Sequence, residues 1–124
     1  MRMGEMARRT GVSERLLRYY EEQGLLSPTR LPNGYRVYCE KDVETVRRVR
    51  TLLTAGLTTE TIARVLPCVR TENEELVPMC PDLVAQLRQE RERITRAIDE
   101  LRSSRGILDR VIDAQPQRTA LRST

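Results

Sequence analysis

The apolar positions recur first at helical spacing. Met3, Met6 and Ala7 form an i, i+3, i+4 stripe, which predicts a short amphipathic helix over Met3–Arg9, and Thr10-Gly11-Val12 breaks it. A second helix starts behind Ser13, whose hydroxyl suits an N-cap, while Glu14 faces the positive end of the helix dipole. Leu16, Leu17 and Tyr20, with Tyr19 beside them, supply its buried and partly buried positions as far as Gln23, and Gly24 stops it. A short helix, a glycine-containing turn and a second helix make the helix-turn-helix pattern, in which the second helix enters the major groove. Helical hairpins with no role on DNA share this spacing.

Beyond Leu25-Leu26-Ser27-Pro28 the pattern changes. Thr29-Arg30-Leu31-Pro32 and Tyr35-Arg36-Val37-Tyr38 read as two short extended segments about Asn33-Gly34, the strongest short hairpin signal. Strand alternation places Tyr35 and Val37 on one face and Arg36 and Tyr38 on the other. The hairpin is too small and polar to be a core, so it reads as a wing, and arginine forks and tyrosine hydroxyls there suit phosphate oxygens beside a groove. Tyr20 and Tyr38 read as packing residues with a wet hydroxyl.

Helical spacing returns over Glu40–Ala55 through Val43, Val46, Val49 or Arg50, Leu52 and Leu53. Asp42 and Glu44 come early and Arg47, Arg48 and Arg50 late, matched to the dipole; a solvated face is the simpler reading of these arginines. Cys39 reads as a cap-position residue. Gly56 ends the helix, and Leu57–Leu66 gives a short one capped by Thr58 or Thr59, with Ile62, Val65 and Leu66 as its buried edge. Residues 67–81, PCVRTENEELVPMCP, carry three prolines and a net negative charge and read as a linker or irregular loop. From Asp82, Leu87, Ile94, Leu101 and Leu108 recur every seven residues, joined by Leu83, Val84, Ile98, Val111 and Ile112 until Pro116. That is a coiled-coil seam, interrupted by Arg91 and Arg105, which belong at its margin or paired with Glu90 or Asp99. About thirty residues of helix span roughly 45 Å, too long for so small an N-terminal part to cover. A second copy of the same helix is therefore the favoured partner. The predicted fold is mainly α: a winged helix-turn-helix domain over 1–66, a linker over 67–81, a dimerisation helix over 82–114 and a flexible tail over 115–124.

Composition bounds what such a chain can do. The 124 residues allow one modest core, and 22 basic against 18 acidic side chains leave a net charge of +4. Positive charge gathers at both ends: +4 over 1–66, −2 over 67–81 and +2 over 82–124. No apolar stretch approaches the roughly 20 residues that span a bilayer, and the start MRMGEMARRTG lacks the apolar run of a secretory signal, so a cytoplasmic location is expected. Cys39, Cys68 and Cys80 are an odd, widely spaced set, which argues against a secreted disulfide framework and for reduced thiols. With no histidine, no glycine-rich phosphate loop and no nucleophile beside a base, the sequence opposes an enzyme.

Leu17-Arg18-Tyr19-Tyr20-Glu21 before Gly24-Leu25-Leu26, followed by Asn33-Gly34-Tyr35-Arg36-Val37-Tyr38, resembles the mercury-resistance regulator (MerR) family of bacterial transcription factors. The resemblance covers about residues 1–66, including Met3-Gly4-Glu5-Met6-Ala7 and Gly11-Val12-Ser13. It implies that Arg18 and Tyr19 contact DNA from the recognition helix and that Arg36, Tyr35 and Arg30 do so from the wing. With Ser13 and Arg15 these make the expected DNA-binding set. It further implies an antiparallel homodimer through Leu87, Ile94, Ile98, Leu101 and Leu108. Such a dimer reads a palindromic promoter element and distorts it so that RNA polymerase can engage. No cofactor is expected.

An effector site is the feature the residues specify least. Metal-sensing members of the family place cysteines in a loop after the long helix, and Ala114 to Thr124 contains none. Cys80 near the helix start could be joined only by Cys68 from the same chain, in a reversible disulfide or a two-thiolate metal site, with buried or idle thiols as the plainer alternative. The rival to a promoter regulator is an effector-independent module on the same fold that organises DNA or binds another protein.

Overall fold

In the computed structural model, which describes residues 1–116, local signals decide where each element begins and ends. Helix α1 spans Met3–Thr10 and stops where Gly11, at φ +72°, forms a left-handed cap with its N–H on the Ala7 carbonyl. Helix α2 spans Glu14–Glu22, and the Ser13 hydroxyl accepts the Leu16 N–H at 3.1 Å as its N-cap. Strands β1 (Thr29–Arg30) and β2 (Arg36–Val37) pair antiparallel, Thr29 opposite Val37 and Arg30 opposite Arg36. The turn between them is wider than a two-residue one. The Gly34 N–H reaches the Leu31 carbonyl across Pro32-Asn33, Gly34 takes φ +87°, and the Leu31 N–H meets the Tyr35 carbonyl at 2.8 Å.

Helix α3 spans Glu40–Thr54, entered through Cys39, whose backbone N–H donates to Asp42 at 2.8 Å. Helix α4 spans Thr59–Val65, with Thr58 rather than Thr59 as the cap. The core of these elements consists of Met6, Val12, Leu17, Tyr20, Tyr38, Val43, Val46, Val49 and Ile62, each at most 2% exposed. Val49 rather than Arg50 is the inward residue of α3. At the rim Arg9 clamps Glu40 with two 2.8 Å hydrogen bonds that join α1 to α3, raising the guanidinium's proton affinity and lowering the carboxyl's.

Residues 67–81 correct the expectation of a linker or irregular loop. Leu66–Cys68 form a single 3-10 turn, and strands β3 (Val69–Glu72) and β4 (Glu75–Pro78) pair in full register, from Val69 opposite Pro78 to Glu72 opposite Glu75. The three prolines punctuate order here: Pro67 lies in the 3-10 turn, Pro78 ends β4, and Pro81 opens the next helix, where a missing N–H costs nothing. The turn is made by Asn73 and Glu74, at φ +50° and +66°. Because Val69 faces Pro78, the flanking Cys68 and Cys80 stand at the open end with Cα atoms 5.4 Å apart, and a disulfide joins them. The expectation of reduced thiols is corrected with it; Cys39 is the free thiol.

Helix α5 spans Pro81–Asp113, 33 residues, or about 50 Å. Two compact units meet within it, Met1–Gln86 and the part from Leu87 on. Leu83 is its buried residue in the first unit, 3% exposed. In the second, Ile94, Ile98, Leu101, Leu108, Val111 and Ile112 are 37 to 70% exposed in the single chain, and Leu87 is half-buried. Val84, Arg91, Ile98, Arg105 and Ile112 alternate with Leu87, Ile94, Leu101 and Leu108 in steps of three and four, so the two arginines occupy seam positions. Glu90 pairs with Arg93 at 3.0 Å, within its own helix. The tail expected after the helix lies, beyond Pro116, outside the described residues.

Candidate nucleic-acid interface

The exposed side of α2 and the wing meet across an open cleft of about 350 Å³ lined by Arg2, Glu14, Arg18, Tyr35 and Arg36. α2 turns Leu17 and Tyr20 into the core, which leaves Arg15, Arg18 and Tyr19 exposed. Ser13 keeps its O–H hydrogen while its oxygen caps the helix. Tyr35 stands 54% exposed, and the Arg2 guanidinium lies over its ring, 4.3 Å from the centroid. Arg2 was not singled out by sequence reasoning. It precedes α1 and meets the wing only because the Met1 backbone pairs with that of Tyr38, N–H to carbonyl in both directions at 2.6 Å.

Glu21 is the second residue that sequence reasoning passed over, although it sits inside the Leu17–Glu21 motif. From the last turn of α2 its carboxylate accepts Arg36 Nε at 2.6 Å and Arg30 Nη2 at 3.1 Å. Arg30 and Arg36 are direct cross-strand neighbours, and two like charges so placed repel. Glu21 cancels that repulsion and braces both strands against α2. Partial burial pushes its carboxyl up, but the hydrogen bonds and charges of Arg36 and Arg30 prevail and hold it below the ordinary carboxylate range. Arg36 is thereby half-buried, with 25% of its side chain exposed, whereas Arg30 keeps 53%.

Tyr20 and Tyr38 are packing residues, 2% and 1% exposed. Burial raises both phenols, and the Tyr38 hydroxyl has no hydrogen-bond partner rather than a wet one. Arg47 and Arg50 are exposed on α3, but Arg48 leaves the solvated face and donates to the Thr71 hydroxyl at 2.8 Å, tying β3 to α3. Among the described residues no cluster of three or more His, Cys, Asp or Glu is placed to hold a metal ion, and no helix is long and apolar enough to cross a membrane.

This arrangement defines a winged helix-turn-helix protein. Residues 1–67 match the family described as MerR HTH family regulatory protein, and the chain belongs to that family. It is 30% identical over 114 residues to the HTH-type transcriptional regulator HmrR of Rhizobium leguminosarum bv. viciae, covering 92% of this chain and 85% of that protein. Its fold is similar to that of PbrR691 from Ralstonia metallidurans CH34, solved in complex with lead(II), with a TM-score of 0.75, 22% identity, and 95% and 90% of the two chains covered. It is also similar to HiNmlR, a MerR family regulator lacking the sensor domain, solved bound to promoter DNA, with a TM-score of 0.57, 20% identity, and 90% and 86% covered. The chain spans about half the length, 46%, of the first curated relatives it matches.

Proposed function

We propose that the chain is a sequence-specific DNA-binding transcription regulator that binds a palindromic promoter element as a homodimer. The observation that carries this reading is the gathering of Arg18, Tyr35 and Arg36 around one exposed cleft between α2 and the wing, in a chain of a regulatory helix-turn-helix family. In this reading α2 enters the major groove with Arg15, Arg18 and Tyr19 outward, and the Ser13 hydroxyl donates to a phosphate at the helix start. The wing lays Tyr35, Arg30 and Arg36 along the sugar-phosphate backbone. The α5 seam through Leu87, Ile94, Ile98, Leu101 and Leu108 pairs antiparallel with that of a second copy, which sets the half-site spacing. Distortion of the bound promoter then changes how RNA polymerase engages it. The DNA-bound HiNmlR supports the first step.

Selection from a random duplex pool is expected to return an inverted repeat, bound with affinity that falls steeply with salt. Arg18→Ala is expected to relax base preference, at about 1–3 kcal/mol for the base it reads. Arg36→Ala removes one phosphate contact per protomer, so the slope of log affinity against log salt becomes shallower by about 2 per dimer. Equal affinity for the selected and a scrambled duplex would overturn the reading. Transcription from the selected site with purified RNA polymerase, with and without the protein, tests the regulatory step.

A further inference from the structure

We propose that Cys68 and Cys80 form a thiol–disulfide site that takes small thiols and their disulfides as reactants and controls the junction between the DNA-reading unit and the α5 seam. The proposal rests on the DNA-binding reading for its biological consequence, but not for its chemistry. The two sulfurs close the open end of a four-pair hairpin. Of its eight strand residues Val69 alone is buried, Thr71, Leu76 and Val77 are half-buried, and the turn places Glu74 in a left-handed conformation. An isolated two-stranded hairpin of this size is marginal in water. Beside the disulfide, the Met79 N–H to Cys68 carbonyl bond at 2.7 Å and the Arg48–Thr71 bond are its fastenings.

Position makes this pair more than a local staple. Cys80 is the residue on which α5 begins, since its carbonyl accepts the Leu83 and Val84 N–H groups at 3.1 and 3.4 Å. Leu83, on that first turn, is the buried anchor of α5 in the first unit. Any coupling carried by the chain between α2 and the seam passes through residues 66–86, and the disulfide ties both ends of the hairpin within that stretch. Both cysteines are half-buried, neither enclosed in the core. A regulator that works on DNA operates where disulfides are transient and commonly sense redox state.

The exchange balances without any further reactant. A thiolate RS⁻ attacks one cysteine sulfur, forms a mixed disulfide and releases the other cysteine as thiolate. A second RS⁻ attacks the small-molecule sulfur of that mixed disulfide, freeing the remaining cysteine. The protein disulfide gains two electrons and two protons as two RSH become RSSR, and the reverse steps restore it. The reduced hairpin frays and the first turn of α5 loses its fixed start, which on the DNA-binding reading lowers affinity for a two-fold site.

The test uses the full chain in a Cys39→Ser background, equilibrated in glutathione buffers from fully reducing to fully oxidising. Amide hydrogen exchange over 69–86 is expected to speed by at least about tenfold on reduction. Cys68→Ser/Cys80→Ser is expected to exchange like the reduced protein in every buffer. Affinity for the selected inverted repeat is expected to drop at least about fivefold in parallel, with the serine variant insensitive. Unchanged exchange on reduction, or a disulfide that resists reducing glutathione, overturns the proposal. Redox-dependent exchange without any DNA binding would keep the thiol site and overturn the DNA-binding reading instead.

Discussion

Two small hairpins lie in the same compact unit, and they are held by opposite means. The wing, β1–β2, has two residues per strand and rests on charge: one carboxylate, Glu21, neutralises two cross-strand arginines, while Tyr38 plugs the end of β2 into the core. The second hairpin, β3–β4, has four residues per strand and adds to its ladder a covalent tie, a backbone bond from Met79 to Cys68 and one side-chain bond from Arg48. In the proposed DNA-binding reading, the Glu21 ion pairs hold Arg30 and Arg36 in place on the wing. A covalent tie suits a segment that transmits position. Each hairpin thus adds to a short ladder a tie of its own kind, ionic in the wing and covalent in β3–β4.

The largest expected effect comes from the covalent side. Removing the disulfide that closes residues 68–80 is expected to destabilise that segment by about 3 kcal/mol, a value set by loop-closure entropy and so an upper figure if the open chain keeps structure. Denaturant titration of the oxidised and reduced protein checks it, and equal midpoints would show the hairpin to be self-sufficient. Next comes Glu21→Gln, which is expected to loosen the wing by about 1–2 kcal/mol. It should weaken DNA binding several-fold even though it deletes a negative charge near phosphates. If bulk electrostatics ruled, binding would tighten, so the sign of the change decides between bracing and repulsion.

The same pair has a pH signature. Because the Glu21 carboxyl is lowered in the folded state, its contribution is fully present above the ordinary carboxylate value of about 4.5 and is lost as pH falls through the lowered value. The wing's amide exchange should therefore stay flat from neutral pH to about 4.5, after correction for intrinsic rates, and rise only in stronger acid. Wing loosening between pH 7 and 5 would remove Glu21 from the account. Smaller still, Glu74→Gly is expected to relieve the left-handed strain of the second turn and to stabilise its hairpin by about 1 kcal/mol, visible as a rise in thermal midpoint. Smallest is Tyr38→Phe, which removes a buried hydroxyl without a partner and is expected to be neutral or stabilising by up to about 1 kcal/mol.

What could be read from the sequence was what is local. Ser13, Gly11, Gly24, Thr58 and Gly56 announce helix ends by their own chemistry, and the spacing of Val43, Val46 and Leu52 announces a buried face. The second hairpin was missed because its turn is Asn73-Glu74 rather than Asn-Gly, and because Pro67, Pro78 and Pro81 read as a linker or irregular loop when they stand at element boundaries. The Cys68–Cys80 approach depends on that hairpin's register, so without the hairpin the two thiols could be paired only as one option among several. Arg2 and Glu21 were missed for a related reason. Their partners, Tyr35 for one and Arg30 and Arg36 for the other, are brought near by the packing of the wing, and nothing in a helical or strand period encodes that. The one signal for Glu21 was its place in the motif, a carboxylate ahead of two wing arginines of opposite charge.

The two arginines in the α5 seam carry a consequence of dose. In the proposed homodimer, Arg91 and Arg105 occupy positions that an apolar side chain would fill in a tight pair, which would weaken pairing between copies. Where the chain is dilute enough to be mostly monomeric, occupancy of a two-fold site grows as the square of its total amount, so halving the supply cuts occupancy about fourfold. A gene controlled by such a dimer would respond steeply to the number of copies in the cell.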